Sequence, residues 1–281
     1  MNKSHSGHWQ AVSMNRHRPV LGRARLIARW SKFAVMSLRK GHTDFARNAI
    51  AAQVELLLLS IRDIFLRRKK VECNICGWKG SDFYPNVGPG YYEKRTICPG
   101  CDCLDRYRSL AVVLWQYTDF FSPDTTVIEV APPRNFQKYC LRQKSDRNYI
   151  SFDIERFAME RGDITQMHYQ DNMADYLLCF HVLEHIKDEG LALSEIHRVL
   201  KPGGSAILQV PIDWQVEKTR EYPAPNPRDV GHVRRYGRDF PQLVSASGFK
   251  VTEVSATECV HPEEVERFGL SREPIFLAKR I

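Results

Sequence analysis

Residues 175–186 read DYLLCFHVLEHI, and residues 198–204 read RVLKPGG just before the apolar run Ala206–Val210. Tyr176–Phe180 is an apolar run of strand length, and Leu191–Leu200 carries helical spacing. Lys201-Pro202-Gly203-Gly204 reads as a helix end, a glycine turn and re-entry into a strand. The same alternation begins upstream, with strands expected at Val127–Val130 and Tyr149–Phe152 and a helix around Asn135–Leu141. Strands alternating with helices predict a parallel sheet wrapped by helices. Ligands of such sheets lie beyond the carboxyl ends of the strands. The residues to inspect are therefore Glu129 to Pro133, Asp153 to Glu155, the connection Arg161-Gly162-Asp163-Ile164, and Cys179-Phe180-His181.

The set EVAPP (129–133), FDIE (152–155), GDIT (162–165), DYLLCFHVLEHI, RVLKPGG and LQVPID (208–213) resembles the class I S-adenosylmethionine-dependent methyltransferases of the type 11 group. More narrowly, it resembles bacterial members with an N-terminal zinc ribbon and a C-P-x-C-x-S-x-x-R-x-R joint. The resemblance spans roughly residues 72–281 and implies an α/β, Rossmann-like sheet of seven strands, the seventh antiparallel, with Ile275–Ala278 as its candidate. It implies that Asp153 accepts hydrogen bonds from the cofactor ribose, and that Asp163 and Ile164 flank the adenine. Glu129 and the backbone of Val130, Ala131 and Pro132 would face the methionine end. Cys179, Phe180 and His181 would line the methyl-transfer mouth. Two departures stand out. Ala131-Pro132-Pro133-Arg134-Asn135 replaces the glycine-rich G-x-G-x-G turn of the general family, and proline has no N–H to donate. The narrower group tends to read A-P-E there. Cys103 stands where that group has serine.

The same residues carry the patterns of other chemistries. His181-Val-Leu-Glu184-His185 matches the H-x-x-E-H pattern of inverted zinc proteases. Its place directly after an apolar strand fits the methyltransferase better, and Glu184 is expected to be a structural acid in a helical first turn. Cys179 follows Leu178 rather than the proline that precedes the nucleophile of pyrimidine C5 methylation, so it reads as a buried small residue. The strand Tyr176–Phe180 does not end in the D/N-P-P-Y used on exocyclic amino groups. In Asp229-Val-Gly-His232-Val-Arg234-Arg235, His232 is a candidate general base alongside His181. Arg234 and Arg235 can hold an anionic substrate, or the segment can be a plain surface loop.

Cys73-Asn-Ile-Cys76 and Cys98-Pro-Gly-Cys101 are two C-x2-C pairs with 21 residues between them. Two such knuckles complete a closed tetrahedral site, so a structural zinc is expected on Cys73, Cys76, Cys98 and Cys101, with Cys103 as an alternative to Cys101.

Of the 281 residues, 43% are hydrophobic and 26% charged, which excludes wholesale disorder. No stretch approaches the roughly 18–20 apolar residues of a membrane span. The first residues lack the apolar core of a secretory leader, so a cytoplasmic protein is expected. The net charge of +8 is uneven: residues 1–72 hold 15 Lys or Arg against 4 Asp or Glu, and the remainder 26 against 29. The domains expected are a basic, partly helical extension (1–71), a zinc ribbon (72–104) and the methyltransferase domain (105–281). Residues 1–24 carry no period and read as mobile. From Asp44 to Phe65, Ile50, Val54, Leu57, Leu58, Ile61, Ile64 and Phe65 recur at helical steps before Arg67-Arg68-Lys69-Lys70. Such a helix can lie on a membrane surface, giving peripheral contact through 44–70, but packing on its own protein is the favoured reading.

The function expected is methyl transfer from S-adenosylmethionine to an O or N atom of a small molecule or saccharide. One alternative is an RNA methyltransferase that uses the ribbon and basic arm. Another is a degenerate, non-catalytic binding module, against which the retention of Asp153 and Asp163 speaks.

Overall fold

The computed structural model describes residues 27–28, 30–32, 34–36, 38–39, 43–65, 69–88, 91–144, 148–155 and 158–281. Residues 1–24, read above as mobile, and Arg67 and Arg68 lie outside them. The chain forms two compact units, one of residues 1–111 with 262–270, the other of 112–261 with 271–281.

In the first unit, helix α1 (Thr43–Phe65) precedes two small antiparallel pairs. These are β1 (Val71–Glu72) with β2 (Lys79–Gly80), and β3 (Tyr84–Gly88) with β4 (Tyr91–Ile97). The α1 face that packs is small and aromatic: Phe45, Ala46, Ala49, Ala52, Leu56 and Leu59 lie against Tyr84, Val87 and Ile97. This corrects the expectation for the helix. Ile50, Val54, Leu57, Leu58 and Ile61 are on the other side and exposed, Leu57 by 62%. The four alanine and aromatic positions allow close approach to the hairpin, so the face rich in branched side chains is left outward. The side chains of Ile64 and Phe65 are outside the described residues.

Helix α2 (Asp105–Tyr117) begins in the first unit, where Arg108 is wholly buried. Its guanidinium donates to the carbonyls of Thr96 (2.9 Å), Cys103 (3.2 Å), Arg95 (3.2 Å), Phe268 (2.7 Å) and Gly269 (2.8 Å). Two of these five, to Phe268 and Gly269, tie the end of helix α6 (Pro262–Phe268) into this unit.

The second unit is a seven-stranded sheet in the order β12-β13-β9-β8-β5-β6-β7. Its strands are β5 (Val127–Val130), β6 (Tyr149–Asp153), β7 (Glu160–Arg161), β8 (Ala174–Phe180), β9 (Leu200–Gln209), β12 (Phe249–Val254) and β13 (Ile275–Arg280). Strand β13 runs antiparallel to both neighbours, as expected of the seventh strand. Helices α3 (Arg134–Gln143), α4 (Glu189–Val199) and α5 (Phe240–Ala246) accompany it, and Ile128, Val130, Cys179, Leu208 and Phe276 are among the buried core. The expected turn at 201–204 is instead the bulged start of β9: Ala174 pairs with Leu200, but Tyr176 with Ser205, and Gly203 takes φ +79° to absorb the extra residues. A separate ribbon, β10 (Arg220–Asn226) with β11 (His232–Arg235), follows β9.

Candidate functional site

Strand order reverses beside β5, since the chain moves one way through β6 and β7 and then returns to β8 and β9 on the other side. In parallel sheets the carboxyl ends of the strands beside such a reversal, here β5 and β8, are where ligands bind. Ala131, just past β5, has φ +47°, a left-handed conformation that glycine adopts without strain. The backbone therefore makes a glycine-like turn although the glycines are absent. Its N–H bonds to Phe152 O at 2.8 Å. Asp153 ends β6 partly exposed, its Oδ1 accepting from Glu155 N at 3.0 Å. Asp163 Oδ1 accepts from the N–H (2.8 Å) and hydroxyl (2.7 Å) of Thr165, and Ile164 is buried beside it. Glu129 lies within the sheet, its carboxylate receiving the Tyr149 hydroxyl, and burial pushes it up to about 8. Pro132 is buried and Val130 belongs to the core. This partly exposed acid beside a left-handed turn fits a nucleoside-bearing cofactor such as S-adenosylmethionine.

On the β8 side, Cys179 is buried and burial pushes its thiol well up, which suits packing and not nucleophilic attack. Phe180 is buried next to it. His181 has φ +54°, and its Nδ1 lies 3.2 Å from Glu184 Oε1. Glu184 is not in an α-helix: it occupies a 3-10 turn, Leu183–His185, and is 1% exposed. His185 stacks edge-on with His232, ring centroids 4.8 Å apart, and burial holds His185 below its ordinary range. His232 Nδ1 in turn lies 3.3 Å from Asp229 Oδ1.

The sequence leaves Arg234 either holding an anionic substrate or in a plain surface loop, and the structure gives it a third role. Arg234 is buried and donates to the carbonyls of Leu183 (2.8 Å), Ile186 (2.6 Å) and Lys187 (3.0 Å) while its Nε meets Glu221 at 2.8 Å. It grips the turn that carries Glu184. Arg235 instead pairs with Asp213 at 2.7 Å. Asp213, Trp214, Tyr222, Asp229, His232 and Arg235 are in the wall of a cavity of about 580 Å³ beyond β9. Of these, Trp214 and Tyr222 had no signal in the sequence, because their convergence depends on the β10–β11 ribbon folding back.

In the first unit, the Sγ atoms of Cys73, Cys76, Cys98 and Cys101 lie within 4.8 Å of one another. Cys73 and Cys101 are 3.9 Å apart, and Cys76 and Cys98 are 3.7 Å apart. A Zn–S bond of about 2.3 Å separates tetrahedral thiolates by about 3.8 Å, so the four fit that metal. Both knuckles turn on a residue of positive φ, Gly77 (+72°) after one and Asp102 (+59°) after the other. Cys103 Sγ instead donates to Leu104 O at 3.1 Å.

The model of the methyltransferase domain family matches residues 116–208. Human thiol S-methyltransferase TMT1A is 32% identical over 87 residues, 31% of this chain and 34% of that protein. Its counterpart TMT1B of Rattus norvegicus is 31% identical over 85 residues, 30% and 34% of the two chains. The chain thus spans about a third of the length of these relatives. The structure of 1,6-didemethyltoxoflavin-N1-methyltransferase from Burkholderia thailandensis superposes with a TM-score of 0.42 at 15% identity, covering 61% of this chain and 76% of that one. Residues 116–208, which hold strands β5 to β8 and most of β9 and hence the reversal of strand order, are the stretch that matches the methyltransferase domain model.

Proposed function

We propose that the protein is an S-adenosylmethionine-dependent methyltransferase acting on an O or N atom of a small molecule or saccharide, with a structural zinc on Cys73, Cys76, Cys98 and Cys101. What carries this is the glycine-like turn at Ala131 beside Asp153, at the reversal of strand order. When bound, S-adenosylmethionine supplies a methyl carbon on a cationic sulfur, which departs with the bonding electron pair. Asp153 accepts the ribose hydroxyls, Asp163 and Ile164 hold the adenine, and Val130 to Pro132 form the floor with Glu129 behind them. His181, oriented by Glu184, and His232, oriented by Asp229, are the bases that take the acceptor's proton as its lone pair bonds to carbon. Holding that acceptor in line supplies much of the rate. The zinc has all four positions filled by thiolates and so supports the fold without joining the chemistry.

Calorimetric titration with S-adenosylmethionine and with its demethylated product tests this. Binding weakened at least tenfold by Asp153→Ala is expected, and a folded protein that binds neither compound removes the proposal. A sulfur acceptor, the activity in the names of the human and rat relatives, competes for the same cavity. Methyl transfer to small thiols in place of alcohols and amines would decide for it.

The outward face of α1 supports a peripheral membrane contact. Its exposed branched residues run beside Arg47, and the exposed Lys69 and Lys70 follow, which suits an anionic lipid surface. Among the described residues no helix is long and apolar enough to cross a membrane.

A further inference from the structure

We propose that Glu184, His185 and His232 form a second metal site, for a divalent first-row transition metal, distinct from the cysteine cluster. One carboxylate oxygen and one nitrogen from each ring lie within 4.8 Å of one another. Two imidazoles and a carboxylate are a donor set for zinc, manganese or iron(II) that leaves coordination positions open.

Three further observations point to an ion and not to simple packing. Glu184 is 1% exposed, and while its Oε1 faces His181, its buried Oε2 has no hydrogen-bond partner among the described residues. A buried carboxylate oxygen left unpaired is costly, and a cation removes that cost. Arg234 does not, because its charge is matched by Glu221 at 2.8 Å and Glu189 at 4.0 Å. Next, each imidazole has a polar partner outside the trio. His232 Nδ1 faces Asp229 Oδ1, and His185 hydrogen-bonds the Gly231 backbone. That is the outer shell that orients ligating histidines and leaves the opposite nitrogen to the metal. Finally, the rings are edge-on with centroids 4.8 Å apart. Two adjacent imidazoles on one ion, with bonds of about 2.1 Å, place their centroids about 5 Å apart.

The H-x-x-E-H pattern alone nominates His181 and His185. The 3-10 turn sets His181 beside Glu184 and brings in His232 from β11 as the second imidazole. His232 also lines the 580 Å³ cavity, so the ion sits at its wall. There it would bind an acceptor hydroxyl and lower its pKa. The hydroxyl proton passes to His181, the oxygen pair bonds to the methyl carbon, and the carbon–sulfur pair returns to sulfur. This role rests on the methyltransferase proposal and, with both nitrogens of His232 engaged by Asp229 and the ion, leaves proton removal to His181 alone; the binding of the ion does not rest on it.

The test titrates the full-length, zinc-loaded chain with Mn2+, read as free ion by electron paramagnetic resonance, and with Zn2+ by calorimetry. The expected result is one equivalent beyond the cysteine-bound metal, weakened at least tenfold in both Glu184→Gln and His232→Gln. Unfolding temperature and S-adenosylmethionine titration on the same samples report folding. If either variant misfolds, His185→Gln is read in its place, with the same tenfold loss expected. Absence of the extra equivalent in folded wild-type protein overturns the site, as does binding unchanged in the folded variants. Metal bound without S-adenosylmethionine bound would sustain the site and sink the methyltransferase proposal.

Discussion

Ala131 shows how a left-handed turn forms without a glycine. At φ +47° an alanine carries a strain of about 1–2 kcal/mol, partly offset because it orders more cheaply than glycine. Ala131→Gly is therefore expected to raise stability by about 0.5–1 kcal/mol in denaturant unfolding. Glu129 carries a pH dependence. Burial lifts it from 4.5 to about 8, so between those values the unfolded chain has lost a proton that the folded one keeps. Stability should fall as pH rises from about 4.5 through about 8 and level off above, and Glu129→Gln should flatten that slope in melts across the range. The positions of Asp153 at a strand end and Asp163 in the following connection were readable from the alternating pattern. Glu184 was not, because its importance depends on an oxygen left without a partner, and no spacing reveals that.

The paired knuckles, unlike the histidine cluster, could be read directly, since each C-x2-C closes a local turn whatever surrounds it. Elements brought together by the chain's return, such as β11 against the 3-10 turn, leave only a residue type behind in sequence. If the knuckles hold zinc, Cys98→Ser should lose it while Cys103→Ser keeps one equivalent by elemental analysis, because the Cys103 thiol is spent on a carbonyl. Arg108 is the other element-scale device. Its planar fork reaches five carbonyls that an ammonium cannot serve together, so Arg108→Lys should cost about 3 kcal/mol or more in unfolding measurements.

Across the whole molecule, the alternating pattern anticipated the parallel part of the sheet, because parallel strands need helical crossovers, while the antiparallel last strand was expected only from the family resemblance. The helical period of α1 was equally plain, yet it could not tell which of two apolar faces would be buried. Both faces are hydrophobic, and only the hairpin decided. Leu57→Glu with Leu58→Glu is expected to abolish sedimentation with vesicles rich in anionic lipid while leaving the unfolding temperature within a few degrees. Wild-type protein that ignores such vesicles at low salt would dismiss the membrane contact.

The route of the chain between its two units has a consequence for biosynthesis. Strand β13 lies inside the sheet, between β9 and β12, yet is the last strand to be translated. Just before it, residues 262–270 return to complete the carbonyl cage around Arg108. Neither unit can close while the ribosome is still short of residue 270, and the sheet must wait for residue 280. Until residue 280 is made a nascent chain therefore carries an open sheet edge, and until residue 270 a half-caged arginine, an interval in which chaperones have something to hold.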